Sequence, residues 1–233
     1  VTIPNTVKKV GSMSFYGCKS LSSVTLPNTL TEIGYSAFNG TTALTTITIP
    51  KTVTKAGSDV FEDSGLKTAT IENGATAVAD NLFSNAKNLT KVTIPNTVKK
   101  VGSMSFYGCK SLSSVTLPNT LTEIGYSAFN GTTALTTITI PKTVTKAGID
   151  VFEDSGLKTA IIENGATSVP NNLFSKATNL TQITIPNTVK KIGSMSFYDC
   201  TKLSSVTLPN TLTSIETSAF KNCQAMKSIT IPK

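Results

Sequence analysis

The sequence predicts a β-rich solenoid of about ten stacked coils of 22–23 residues, and three observations carry that reading. All ten phenylalanines, Phe15, Phe38, Phe61, Phe83, Phe106, Phe129, Phe152, Phe174, Phe197 and Phe220, are spaced by 23 residues apart from two steps of 22. A longer period of 91 residues, four units, lies over the short one, and residues 1–57 recur as 92–148 without a mismatch. Each unit also repeats one apolar and polar alternation that ends at a proline or its substitute. Self-similarity at such a period marks stacked units that bury one another's apolar faces. The units run near 1–23, 24–46, 47–68, 69–91, 92–114, 115–137, 138–159, 160–182, 183–205 and 206–228, one repeat domain over 1–233. At strand spacing, ten coils build a rod or arc about 50 Å long.

Residues 21–40, LSSVTLPNTLTEIGYSAFNG, show how one unit is built. Val24 and Leu26 alternate with Thr25, the period of a half-buried strand, so the apolar pair points inward and the threonine outward. Pro27 has no N–H for a ladder and ends the strand. Leu30 and Ile33 resume the apolar register as a second short extended piece. Gly34 permits the corner that follows. The run SAFNG then makes one tight helical or 3-10 turn that drops Phe38 into the core.

Composition narrows function. All 21 cationic residues are lysine, set against 13 carboxylates for a formal charge of +8. Lysine spread along a surface steers acidic partners diffusely and keeps the chain solvated. Nucleic-acid recognition is not expected, because arginine and tryptophan are absent and the pairs Lys8 and Lys9, Lys99 and Lys100, Lys190 and Lys191 lack an aromatic reading motif. No apolar run is long enough to cross a bilayer, so no membrane insertion is expected in this segment. The start, VTIPNTVKKV, lacks the parts of a secretory signal. The chain opens on VTIPNT and closes on ITIPK, and so reads as a piece of a longer protein.

The pattern L-x-x-V-x-I-P-x-x-V-x-x-I-G-x-x-A-F-x-x-C, seen in LSSVTLPNTLTEIGYSAFNG and ITIPNTVKKIGSMSFYDC, resembles the BspA-like leucine-rich repeats over essentially the whole chain. That resemblance implies a leucine-rich-repeat solenoid of the α/β horseshoe type, β-rich, with one strand per coil in a continuous parallel sheet. It also implies an extracellular or cell-surface protein with adhesion to host matrix proteins. Two departures stand out. Glutamate replaces the proline in IENGAT at 71–76 and IIENGAT at 161–167, and the third and seventh units are one residue short at FEDSGLKT. These variants are expected to bend the rod or break its surface pattern.

Chemistry-bearing residues are sparse. With no histidine, the usual triads and histidine bases are excluded, and neither an enzyme nor a cofactor is expected. Cys18, Cys109 and Cys200 lie four coils apart, about 19 Å at strand spacing, and cannot bridge one another. Only Cys200 and Cys223 are on adjacent coils. The simplest reading makes all four small buried thiols at a position held elsewhere by Thr41, Thr132 or Ala86. The acidic turns with Asp59, Glu62 and Asp63, and with Asp150, Glu153 and Asp154, offer calcium oxygens, although a solvated turn ended by Gly65 explains them as well. Sequons at Asn39, Asn88, Asn130 and Asn179 matter only in a glycosylating host.

The most suggestive surface feature is a column of threonines at one outward strand position. It comprises Thr2, Thr25, Thr48, Thr70, Thr93, Thr116, Thr139, Thr184, Thr207 and Thr230, interrupted at Ile161. A mixed polar column, Ser23, Thr46, Thr68, Lys91, Ser114, Thr137, Thr159, Gln182, Ser205 and Ser228, lies two residues earlier. Threonine is a good outward strand residue in any sheet. As a function, the strip reads first as a binding face for a protein, host or extracellular matrix, with a glycan as the other partner class. A structural spacer and an ice-binding threonine array are the alternatives, and oligomeric state is left open by the uncapped coils.

Overall fold

The computed structural model describes residues 1–231. The chain winds as a solenoid, and most coils contribute two short strands on two faces joined by hydrogen-bonded turns. On the first face, strands Thr46–Ile49, Thr68–Ile71, Lys91–Thr93 and Ser114–Val115 pair in parallel, and Thr137–Ile140, Thr159–Ile162 and Gln182–Thr184 form a second parallel group. On the second face, short strands such as Lys9–Val10, Glu32–Ile33 and Lys55–Ala56 pair one coil to the next. The expected helical or 3-10 corner is a run of turns, and no helix occurs among the described residues. The reason is in the backbone: both the residue two before and the residue two after each phenylalanine adopt positive φ, as in Met104 at 53° and Gly108 at 66°. A left-handed residue on each side of the turn stops a helix from propagating.

The core is one column. Nine consecutive phenylalanine pairs stack with ring centroids 5.1–5.8 Å apart and interplanar angles of 2–24°. Leu30, Ile33, Leu121 and Ile124 belong to the same core and are fully buried. Threonine clamps coil to coil from outside the sheet: Thr52 Oγ1 donates to the Leu30 carbonyl at 2.6 Å, and Thr97, Thr120 and Thr188 repeat the bond to Ala75, Val98 and Ala166 at 2.7, 2.7 and 2.8 Å. On the second face the register sets Lys9 opposite Glu32, and their ion pair at 2.7 Å holds the Glu32 carboxyl below its ordinary range.

Proline decides how wide the first-face sheet is. Where Glu72 follows Pro50, or Glu163 follows Pro141, the ladder runs four residues. Where proline follows glutamate, at Pro95 and Pro186, it runs three, and where both coils carry proline it shrinks to two or fewer. The cause is the missing donor. The Glu72 N–H donates to the Ile49 carbonyl at 2.9 Å and Glu163 to Ile140 at 3.0 Å, bonds that a proline cannot make. Each glutamate also accepts, at Oε2, the N–H of the residue after the preceding coil's proline, Lys51 or Lys142, at 2.9 Å. The variant coils therefore reinforce the stack at their junction with the coil before. Glu163→Pro is expected to cost about 1–3 kcal/mol, two net hydrogen bonds, measured by urea unfolding, while Glu163→Gln keeps the backbone bond and costs less.

Candidate functional site

The threonine face is where the sequence placed it. Thr2, Thr25, Thr48, Thr70, Thr93, Thr116, Thr139, Thr184, Thr207 and Thr230 are all exposed, and the strand register sets Thr48 beside Thr70, Thr70 beside Thr93, and Ile161 between Thr139 and Thr184. The second column is in register too: Thr46, Thr68, Lys91 and Ser114 lie side by side. The inward partners Ile47, Ala69 and Val92 are buried beneath them.

The expected continuous sheet is broken, and the breaks make the site. Among the described residues no ladder joins residues 23–26 to Thr46–Ile49, or residues 114–117 to Thr137–Ile140. Pro50 and Pro141 fall at these junctions, where each would need an N–H to reach the Leu26 or Leu117 carbonyl. The Thr45 and Ile49 carbonyls accept from Thr68 and Glu72 of the following coil. Thr46 and Thr48, whose backbone groups alternate to the other side, meet no main-chain partner on the coil before. A groove opens at each break. The first, of about 510 Å³, is lined by Ser23, Thr25, Asn28, Thr46, Thr48 and Glu72 among others. The second, of about 540 Å³, is lined by their counterparts 91 residues on, Ser114, Thr116, Asn119, Thr137, Thr139 and Glu163. One lining position differs, Thr70 in the first and Ile161 in the second. The grooves are four coils apart, about 20 Å at strand spacing.

Of the residues read from sequence, Thr25, Thr48, Thr70, Thr116 and Thr139 line the grooves, and Thr93, Thr184 and Thr207 lie on the same face outside them. Asn28 and Asn119 were not singled out, and Glu72 and Glu163 were read only as departures from the repeat, not as residues of a site. Their signal was present as the same 91-residue repeat, read together with proline on both sides of each break. A face cut by two grooves lacks the flat lattice that an ice-binding array requires.

The acidic turns are tied to lysine. Lys87 Nζ sits 3.4 Å from Glu62 and 3.1 Å from Asp63, which raises its pKa, the Asp63 bond being the larger cause. In the second copy Lys176 does the same for Glu153 at 3.1 Å and Asp150 at 3.3 Å, and is also raised. Position 176 corresponds to Asn85, which donates from Nδ2 to Asp59 at 2.8 Å, and position 178, the counterpart of Lys87, is threonine. The lysine has moved two residues and still reaches the same acidic turn. Asp154 is exposed, and among the described residues no three carboxylates or thiols converge to hold a metal ion.

Three thiols are buried as expected and one is not. Cys109, Cys200 and Cys223 donate from Sγ to the carbonyls of Phe83, Phe174 and Phe197 at 3.0, 3.1 and 3.2 Å. Burial pushes all three pKa values up, that of Cys223 to about 11. Cys18 is exposed, since the first coil has no such carbonyl beneath it, and Cys200 and Cys223 are free thiols. The sequon amides are engaged as well: Asn39 and Asn130 donate to Glu62 and Glu153 at 3.3 and 3.0 Å, and Asn88 and Asn179 to the Ser64 and Ser155 carbonyls at 2.7 and 2.8 Å.

Comparison with known proteins agrees with this geometry. The model of the BspA type leucine rich repeat region, in six copies, matches residues 1–112, 76–201 and 167–233. No curated protein matches the chain. Among solved structures, a leucine-rich repeat protein from Bacteroides ovatus is 30% identical with a TM-score of 0.68 over 99% of this chain, which spans 66% of that protein. One from Eubacterium ventriosum is 23% identical, TM-score 0.48, over 100% of this chain and 83% of its own. A leucine rich cell surface protein from Faecalibacterium prausnitzii is 24% identical, TM-score 0.44, over 99% and 80%. No helix among the described residues is long and apolar enough to cross a membrane. Repeat pattern, parallel stacked coils and family match converge, and the chain belongs to the BspA-type leucine-rich repeat family.

Proposed function

We propose that this solenoid is the adhesive, protein-binding part of an extracellular or cell-surface protein, and that it docks host or matrix proteins on its threonine face. A protein-interaction role follows from the repeat family. The observation that carries the choice of face is the pair of equivalent grooves, each at a break in the sheet. Unpaired strand edges offer main-chain donors and acceptors to an extended segment of a partner protein. Short hydroxyl side chains around them lose little entropy on binding. Two sites alike at all but one lining position, at a fixed spacing, let a repetitive partner bind with avidity beyond either site alone. This gives a physical use for spelling the same coils twice.

The test is binding to immobilised matrix proteins at low and physiological salt. Replacing Thr25, Thr48, Thr116 and Thr139 by lysine fills both grooves and is expected to weaken binding on the order of tenfold or more. Binding that disappears with salt would reduce the interaction to lysine steering. Absence of binding at both salts would leave the solenoid a spacer.

A further inference from the structure

We propose that Asn73 and Asn164 are sites of spontaneous deamidation that recharge the rims of the two grooves. The chain has four Asn-Gly pairs: Asn39-Gly40, Asn73-Gly74, Asn130-Gly131 and Asn164-Gly165. Glycine after asparagine leaves the attacking main-chain nitrogen unshielded by a side chain. The reaction begins when a base removes the Gly74 amide proton and that nitrogen attacks Cγ of Asn73. A C–N bond forms, ammonia leaves, and a five-membered succinimide results. Water then opens either carbonyl, giving aspartate or isoaspartate. Overall, water is consumed and ammonia released, with no oxidant or reductant.

The fold divides the four pairs into two kinds. Asn39 is 7% exposed, and its Nδ2, the leaving nitrogen, donates to Glu62 at 3.3 Å. The Gly40 nitrogen that would attack is held on the Glu62 carbonyl of the next coil at 2.9 Å. Asn130 and Gly131 repeat both bonds, to Glu153, at 3.0 and 2.9 Å. In these pairs the nucleophile and the leaving group are both fixed by inter-coil bonds, so reaction has to wait for local opening. Asn73 and Asn164 are exposed, and their side chains make no hydrogen bond among the described residues. Each occupies a tight turn, closed by Ala75 N–H to Glu72 or Ala166 N–H to Glu163 at 3.2 Å, with its glycine at φ 95° or 96°. Among the described residues each attacking nitrogen makes one hydrogen bond, of 3.1 Å, to a threonine hydroxyl, Thr97 or Thr188.

Position gives the chemistry a consequence. Asn73 and Asn164 directly follow Glu72 and Glu163, the one charged lining residue of each groove. Conversion places a second carboxylate beside the first. The isoaspartate product also lengthens the main chain in a turn that the threonine clamps hold to the next coil. The site assignment stands apart from the adhesive reading, and only its effect on binding depends on it.

The experiment is incubation of the folded chain in mildly alkaline buffer at physiological temperature, followed by peptide mapping with mass spectrometry that separates aspartate from isoaspartate. Conversion at Asn73 and Asn164 is expected to exceed that at Asn39 and Asn130 by at least about tenfold, the protected pairs reacting only through opened states. The same incubation in denaturant is expected to bring all four to similar rates. Thr97→Val and Thr188→Val, which release the attacking nitrogens, are expected to speed conversion in the folded chain. No conversion at Asn73 and Asn164, equal conversion at all four pairs in the folded chain, or selectivity that persists in denaturant would overturn the proposal.

Discussion

Phe129→Ala is expected to destabilise the chain by about 3–5 kcal/mol, whereas Phe220→Ala is expected to cost clearly less. Phe129 is fully buried, with Phe106 on one side at 5.2 Å and Phe152 on the other at 5.5 Å. Truncation removes its own burial, two stacking contacts and the packing of both neighbours. The coil cannot collapse into the space, because its strands are held in register by the coils above and below. Phe220 has one stacked neighbour, Phe197, and is only partly buried. In a stack whose stability is a sum of nearest-neighbour interfaces, a mid-stack lesion weakens two interfaces and also divides the molecule. Chemical denaturation of both variants checks this. Equal losses would mean that the phenylalanine column does not transmit stability along the solenoid.

How much of this was legible in the sequence varies with the physical range of the cause. The phenylalanine period located every core ring, because burial depends on a residue's own coil and its immediate neighbours. Thr25 and Thr48 were correctly turned outward by strand alternation alone. The sheet breaks were not foreseen, although Pro27 and Pro50 were in view. Proline was read as lacking a donor for the next turn and so ending its own strand, whereas the donor it lacks is one owed to the coil before. That effect is a property of two coils 23 residues apart and appears only when they are stacked. Glu72 shows the same gap from the other side. Read alone it was a departure expected to disturb the rod, and in the stack it supplies two inter-coil bonds. The lysines of the acidic turns, Lys87 and Lys176, were missed because they come from the following coil and from different positions in the two copies.

Glycine provides the sharpest case of a residue explained by its neighbour, and it leads to a paired prediction. Gly34 was expected to serve a corner by conformational freedom, yet neither it nor its counterpart Gly125 has positive φ. What each needs is the absence of a side chain. A Cβ on Gly125 would lie 2.4 Å from the Ser103 nitrogen, 2.7 Å from the Gly102 carbonyl carbon and 2.8 Å from the Ser103 Cα, all main-chain atoms of the preceding coil. Nothing there can rotate away, so relief requires the coils to part. Gly125→Ala is expected to cost about 2–4 kcal/mol, towards and beyond the upper end of ordinary overpacking. Gly11 holds the same place in the first coil, where an added Cβ meets only the Ser14 Oγ at 3.2 Å. Gly11→Ala is expected within about 1 kcal/mol of the parent. The column departs from glycine at Ala79 and Pro170, each in the coil after a 22-residue step, and at Glu216 near the end. Close approach of stacked backbones, and not turn geometry, is then what selects glycine along the rest of the column. Urea unfolding of the two alanine variants decides between these causes: a large loss at Gly125 with little at Gly11 supports steric stacking, and similar losses at both would return the explanation to the corner.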